Sequence, residues 1–137
     1  MWNNEQSDVV RIYRTMDNQV SEQNADKLYQ KFNTSRQEPI RLAVAIRGFF
    51  LSEDVTEEQR EAFSAYLKRR IRPAAEALIE MNDVEHLEAL EHLGWLDERM
   101  IDNFLQTAIH QHRSSVIVWL MQMKAEKYGY RDRDFSL

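Results

Sequence analysis

Four histidines, a run of carboxylates and a knot of cations are the residues of this chain whose types suit chemistry. Histidine is the usual proton carrier at neutral pH and a common metal ligand, so spacing decides what these four can do. His110 and His112 are two residues apart. On a helix of 3.6 residues per turn they point roughly 200° apart and cannot share an ion. His86 and His92 are six apart, again on different faces. No His-Glu-x-x-His pair occurs, so no metal and no cofactor is expected. Glu85 with His86, and Glu91 with His92, are adjacent in sequence but splayed on a helix, which does not make an acid–base pair. The sequence has no cysteine, which removes thiolate ligands, disulfides and cysteine nucleophiles and fits a reducing compartment. It also lacks a phosphate loop, a nucleophile elbow and a Gly-rich turn. The expectation is a protein that is not an enzyme.

Charge is more informative. The net charge is −5, which opposes non-specific binding to nucleic acid. Between Glu76 and Asp102 stand nine acids and a single base, Arg99. Just before them, Lys68, Arg69, Arg70 and Arg72 form the cluster KRRIR. If residues 84–93 are helical, Val84, Leu87 and Leu90 face inward and Glu85, Glu88 and Glu91 form an outward stripe. Like charges so spaced repel by a few tenths of a kcal/mol per pair, about the scale of a surface helix pair. A basic partner would relieve that repulsion; cations of the same molecule would do so too. Two functions follow as expectations. The first is a non-catalytic protein–protein interaction module that presents Glu85, Glu88 and Glu91 to a basic protein partner. The alternative is a nucleic-acid-associated regulator that contacts phosphate through Lys68, Arg69, Arg70 and Arg72. Against the alternative, cations favour a helix C-terminus for local reasons alone.

The elements that must carry these residues are helices. Three glycines and two prolines in 137 residues are too few for an all-β chain, and the length suits one domain. Val9, Ile12, Tyr13, Met16 and Val20 recur at spacings of three and four, as do Ala25, Leu28, Tyr29 and Phe32. Asn18 and Asn24 suggest a break between these segments, though one long helix over residues 8–32 also fits. Pro39 suits the first turn of a helix that starts near Glu38. With Ile40, Leu42, Ala43, Val44, Ala45, Ile46, Phe49 and Phe50 apolar nearly all round, it should be the central buried helix. Thr56 with Gln59 predicts a capping box for a helix through Ala62, Phe63, Tyr66, Leu67 and Ile71, with the cations in its last turns.

Pro73 predicts a fresh helix through Met81, with a kinked continuation as the alternative. Asp83 should cap helix 84–93 and Gly94 should close it, with Trp95 folding back on Leu90. Asp97 should cap helix 98–112, with Leu96 and Ile101 as its hydrophobic staple. Ser114 should cap helix 115–128, which ends at Gly129. Ile101, Phe104, Leu105, Ala108 and Ile109 should be buried on the first of these two helices. The second should carry Val116, Ile117, Trp119, Leu120 and Met123. The sum is an all-α chain of about six or seven helices: N-terminal helices over 8–72, paired hairpins over 73–129 and a loose tail over 130–137. The stretch MWNNEQSD is not a secretory signal, and the apolar run around Arg47 is too short to span a bilayer, so no membrane association and a cytoplasmic location are expected.

The hairpins hold a weak repeat. Ala77 and Ala108 occupy similar places, 31 residues apart, each followed by a turn and a second helix. In NDVEHLEALEHLG, the polar turn, Val84, Leu87, Leu90 and Gly94 resemble the second helix and closing glycine of an ankyrin repeat, and AIHQHRSSVIVWLM resembles the same transition in a second copy. The resemblance covers residues 73 to 129. It lacks the family's Thr-Pro-Leu-His start and its long β-finger loop. It implies stacked helical hairpins that bind protein, with no catalytic residues; ordinary α–α packing is the other reading.

Overall fold

A computed structural model describes residues 7–17 and 24–129. The chain is all-helical there. Eight helices follow one another: α1 (Asp8–Asp17), α2 (Ala25–Thr34), α3 (Glu38–Phe49), α4 (Glu57–Arg69), α5 (Ile71–Glu80), α6 (Val84–His92), α7 (Glu98–His110) and α8 (Ser114–Tyr128). The count exceeds the expected six or seven, because short helices meet at corners rather than merging. Asn24 is extended and its side chain accepts from the N–H groups of Asp26 and Lys27, so α2 begins anew. The expected break at Asn18, Val20 and the tail after Gly129 lie outside the described residues. Backbone packing divides the chain into two compact units, Met1–Ala77 and Leu78–Leu137.

In the first unit α3 packs against α1, α2 and α4. Leu42, Ala43, Val44, Ala45, Ile46 and Gly48 are all buried, which makes it the central helix the sequence predicts. Gly48 explains the fit of α3 on α4. A Cβ there would stand 2.4 Å from the ring of Phe63, which is fully buried and edge-stacked on Tyr29 and Phe32. Phe49 and Phe50 are only half-buried and stack on each other, because Phe50 already ends the helix. On α1 the buried residues are Val10, Tyr13 and Met16, while Val9 and Ile12 are half-buried. Arg47 on α3 sits over the Tyr13 ring and donates to the Tyr13 carbonyl and the Asp17 carboxylate, tying down the end of α1.

Helix ends in this unit are joined by side chains. Thr56 and Gln59 form the reciprocal capping box at the start of α4. Gln59 has a further bond to give, and its amide donates to Asp26 in the first turn of α2 at 2.7 Å. Glu38, in the first turn of α3, accepts from Tyr66 Oη at 2.6 Å and from two nitrogens of Arg70 at 2.7 and 2.9 Å. The Arg70 and Tyr66 hydrogen bonds hold the Glu38 carboxyl down from 4.5 to about 2.

The corner between α4 and α5 departs from expectation by two residues. Arg70 ends α4 and α5 opens at Ile71, so Pro73 is its third residue rather than its first. The first-turn N–H groups of a helix have no partner within it, so proline fits there without loss. Arg72 consequently belongs to the start of α5, not to the last turn of α4.

The second unit closes three helices with one device. Asn82, Gly94 and His112 all have positive φ, at 55°, 76° and 58°. After α5, the Asn82 and Asp83 amides donate back to Ile79 and Leu78. After α6, those of Gly94 and Trp95 donate to Glu91 and Leu90. After α7, those of His112 and Arg113 donate to Ile109 and Ala108. Each is the double-bonded left-handed closure of a helix. Asp83 and Asp97 cap α6 and α7, accepting from the amides of His86 and Met100, as their positions predict.

Ser114 does not cap α8; it is the first residue of the helix, and Arg113 before it makes no side-chain cap. The cap comes from a distance. Asn82 Oδ1, in the turn between α5 and α6, accepts from the Val116 amide at 3.2 Å. Arg113, in the turn between α7 and α8, donates to Gln111 O and to the last carbonyl of α5, Glu80 O, at 2.7 Å. The two turns therefore satisfy each other's free backbone groups and tie residues 80–82 to the start of α8.

Candidate functional site

The acidic stretch turns out to be divided between structure and surface. Asp83 and Asp97 cap helices. Burial alone would raise the Asp83 carboxyl; hydrogen bonds from the His86 ring and amide outweigh it and hold the pKa below its ordinary value. Asp102 on α7 pairs with Lys124 at 3.0 Å, and Glu91 on α6 pairs with Lys127 at 2.6 Å. Two lysines three apart on α8 thus reach the helices on either side of it. Glu91 leaves the outward stripe: its side chain is mostly covered and faces Lys127, whose pKa it raises through that hydrogen bond. Glu85 and Glu88 stay exposed on the outer face of α6, with His92 3.9 Å from Glu88.

The basic cluster is also divided. Arg70 is committed to Glu38 and Tyr66. Lys68 and Arg69 are exposed at the end of α4 and Arg72 at the start of α5. The four cations expected together on one helix end are three exposed ones on two helices, plus one held in an ion pair. The histidines stay apart in role: His86 Nδ1 lies 2.8 Å from Asp83 Oδ2, and His112 takes the left-handed turn position. Among the described residues no three of His, Cys, Asp or Glu are grouped as a metal site, and no helix is long and apolar enough to cross a membrane.

Periodicity leaves the most distinctive surface unassigned. Helix α8 contains VIVWLM, residues 116–121, six apolar residues in a row. Val116, Leu120 and Met123 are buried. Ile117 and Trp119 are half-buried rather than in the core, and Ile109 on α7 is 46% exposed. Val118 and Met121 are 54% and 57% exposed. They are three apart, so they are neighbours on the outer face of α8. The only charged residue between Ser114 and Ala125 is Lys124, and it is turned toward Asp102. Beside this face an open depression of about 560 Å³ is lined by Val84 of α6 and by Ser114, Ser115, Val118, Trp119 and Gln122 of α8. Glu88 stands one helical turn on from Val84, on the same side of α6.

The sequence carried a signal for this surface. Six consecutive apolar residues exceed what one buried helix stripe can use, and the surplus has to go somewhere. No protein-family model, no curated protein and no solved structure matches the chain.

Proposed function

We propose that this chain is a non-catalytic, cytoplasmic protein–protein interaction module. Its binding surface is the outer face of α8 and the adjoining depression, with the exposed Glu85 and Glu88 on α6. The observation that carries the reading is the exposure of Val118 and Met121, 54% and 57%, side by side on a face without charge. Exposed apolar area held by a well-packed helix costs free energy in water and is regained when a partner covers it. The acidic surface of the original expectation is narrower here, two carboxylates rather than three. The bonds that Asn82 and Arg113 make between two turns support an ankyrin-like reading, in which a rigid array would present one face to protein. Phosphate contact through residues 68–72 is the weaker reading, since Arg70 is already occupied by Glu38.

The test is a quantitative pull-down from the native cell with the full chain and with a Val118→Gln/Met121→Gln variant. A specific partner should be retained by the wild type and lost by the variant, with both chains equally folded by circular dichroism. Equal retention by the two would refute the surface.

A further inference from the structure

We propose that the turn before α8, with the exposed side chains of α7 and α8 beside it, is the seat of a further helical hairpin supplied by a partner protein. The inference rests on the protein-binding reading above and gives the partner a form.

The chain shows within its own second unit how one turn seats the next hairpin. The left-handed residues Asn82 and His112 are 30 residues apart, and α6 and α8 begin at Val84 and Ser114, also 30 apart. The turns thus set a repeat one residue shorter than Ala77 and Ala108 suggest. Three groups of the first copy are answered by the second. Asn82 Oδ1 accepts from the Val116 amide at 3.2 Å, Glu80 O accepts from Arg113 at 2.7 Å, and Glu91 pairs with Lys127 at 2.6 Å. Ile79, next to Glu80, is fully buried. Thirty residues on, the cover is gone. His112 stands for Asn82, and its ring makes no hydrogen bond or ion pair among the described residues. Met121 stands for Glu91 and is 57% exposed; Ile109 stands for Ile79 and is 46% exposed.

Charge agrees with this register. An array that stops closes its last repeat with a polar outer face. Here the second copy is the less polar one. From Pro73 to Leu93 the first copy holds six acids, whereas the matching stretch from Asn103 to Met123 holds no acid and one base, Arg113. That guanidinium is already bonded to the carbonyls of Glu80 and Gln111. Depletion of charged residues marks the centre of a surface that another protein covers.

The partner's form follows from the positions it must answer. Its second helix starts over His112 with a first-turn amide that has no cap of its own, because a neutral imidazole nitrogen can accept one such bond. At the place where Lys127 answers Glu91, it carries an apolar side chain to meet Met121. A second copy of this unit does not meet that description, since α6, α7 and α8 already begin on the side chains of Asp83, Asp97 and Asn82.

The probe is a synthetic peptide of residues 98–129, the α7–α8 hairpin. It keeps the Val116 amide and leaves Asn82 behind, so its second helix starts uncapped. It is titrated unlabelled into the full chain while the His112 ring and Met121 methyl signals are followed by NMR. Both signals should shift to saturation. Val116→Pro in the peptide removes the amide but fits the third position of a helix, as Pro73 does in α5, and should weaken binding about fivefold, the size of a lost cap. His112→Gly in the full chain keeps the positive φ, removes the ring and should weaken binding by the same factor, with no further loss from the proline peptide. His112→Asn, which copies the first turn, should bind at least as well as wild type. Ile109→Gln/Met121→Gln should abolish binding. Absence of binding overturns the proposal. So does binding indifferent to His112→Gly, because the peptide would then be replacing the chain's own hairpin or lying elsewhere. Self-association of the full chain that moves the same signals would make the occupant a second copy and overturn it as well. If the peptide fails while the cellular partner still depends on Val118 and Met121, the hairpin is wrong and the protein-binding surface stands; if that dependence fails too, both readings fall.

Discussion

Helices α3 and α8 read alike in sequence and end differently. Each is apolar nearly all the way round: LAVAI with GFF in one, VIVWLM in the other. Helix α3 meets α1, α2 and α4, and every residue from Leu42 to Ile46 is buried. Helix α8 lies along α7 and, more lightly, α6, and its outer face keeps Val118 and Met121 in solvent. An all-round apolar pattern therefore states a demand for cover without saying whether the same unit supplies it. Where three neighbours surround the helix, the pattern marks a core. Where α7 and, more lightly, α6 are the main neighbours among the described residues, part of the apolar pattern stays in solvent.

The contrast can be broken or sharpened by substitution. Ile46→Ala removes a fully buried side chain from α3 and should cost about 2–5 kcal/mol in urea unfolding, the range for large core deletions. Gly48→Ala drives a methyl into Phe63, whose ring is buried and has little room to yield, and should cost about 1–3 kcal/mol as an overpacking change. Should it prove neutral, α3 and α4 are not in the close contact described.

On the α8 side, Asn82→Ala tests what holds the helix rather than what covers it. Alanine strains the positive φ and removes the oxygen that accepts from Val116, and a loss of about 1–2 kcal/mol is expected, the scale of a lost cap. Loss of protection at the Val116 amide in hydrogen exchange should accompany it; unchanged exchange would deny the cap.

A smaller effect depends on pH. The Glu38 carboxyl is held at about 2 in the folded chain against an ordinary 4.5. A depressed folded value means its contribution is fully present above 4.5 and is lost as pH falls toward 2. Glu38 is more than half exposed, so the contribution is modest. Acid unfolding of Glu38→Gln should be less steep than wild type over that window, and identical profiles would remove the Arg70–Tyr66 arrangement from the account.

Much of this fold was legible because the signals are local. A capping box, an aspartate before a helix, a proline in a first turn and a closing glycine act over three to five residues. Thr56, Gln59, Asp83, Asp97, Pro39 and Gly94 sit where such short-range bonds place them. The errors share a different origin. Ser114 lost its expected role to Asn82, which is 34 residues from the amide it caps. Glu91 left the stripe for Lys127, 36 residues away, and Arg70 left the basic cluster for Glu38, 32 away. Gly48 counts as a small apolar residue until Phe63 is placed against it. The acidic half of the candidate surface was visible as Glu85 and Glu88. The apolar half, Val118 and Met121, was given no role in the sequence reading, because periodicity reports which face is apolar and is silent on how many helices are near.

The central claim is that the outer face of α8 is surface left open for a partner, whereas α3 is core. Equilibrium unfolding of the Val118→Gln/Met121→Gln variant of the full chain tests it most directly. Solvent-facing substitutions of this kind change stability by no more than about 0.5 kcal/mol. The account predicts a midpoint indistinguishable from wild type. A loss approaching that of Ile46→Ala would contradict it, because those two side chains would then be holding the fold together.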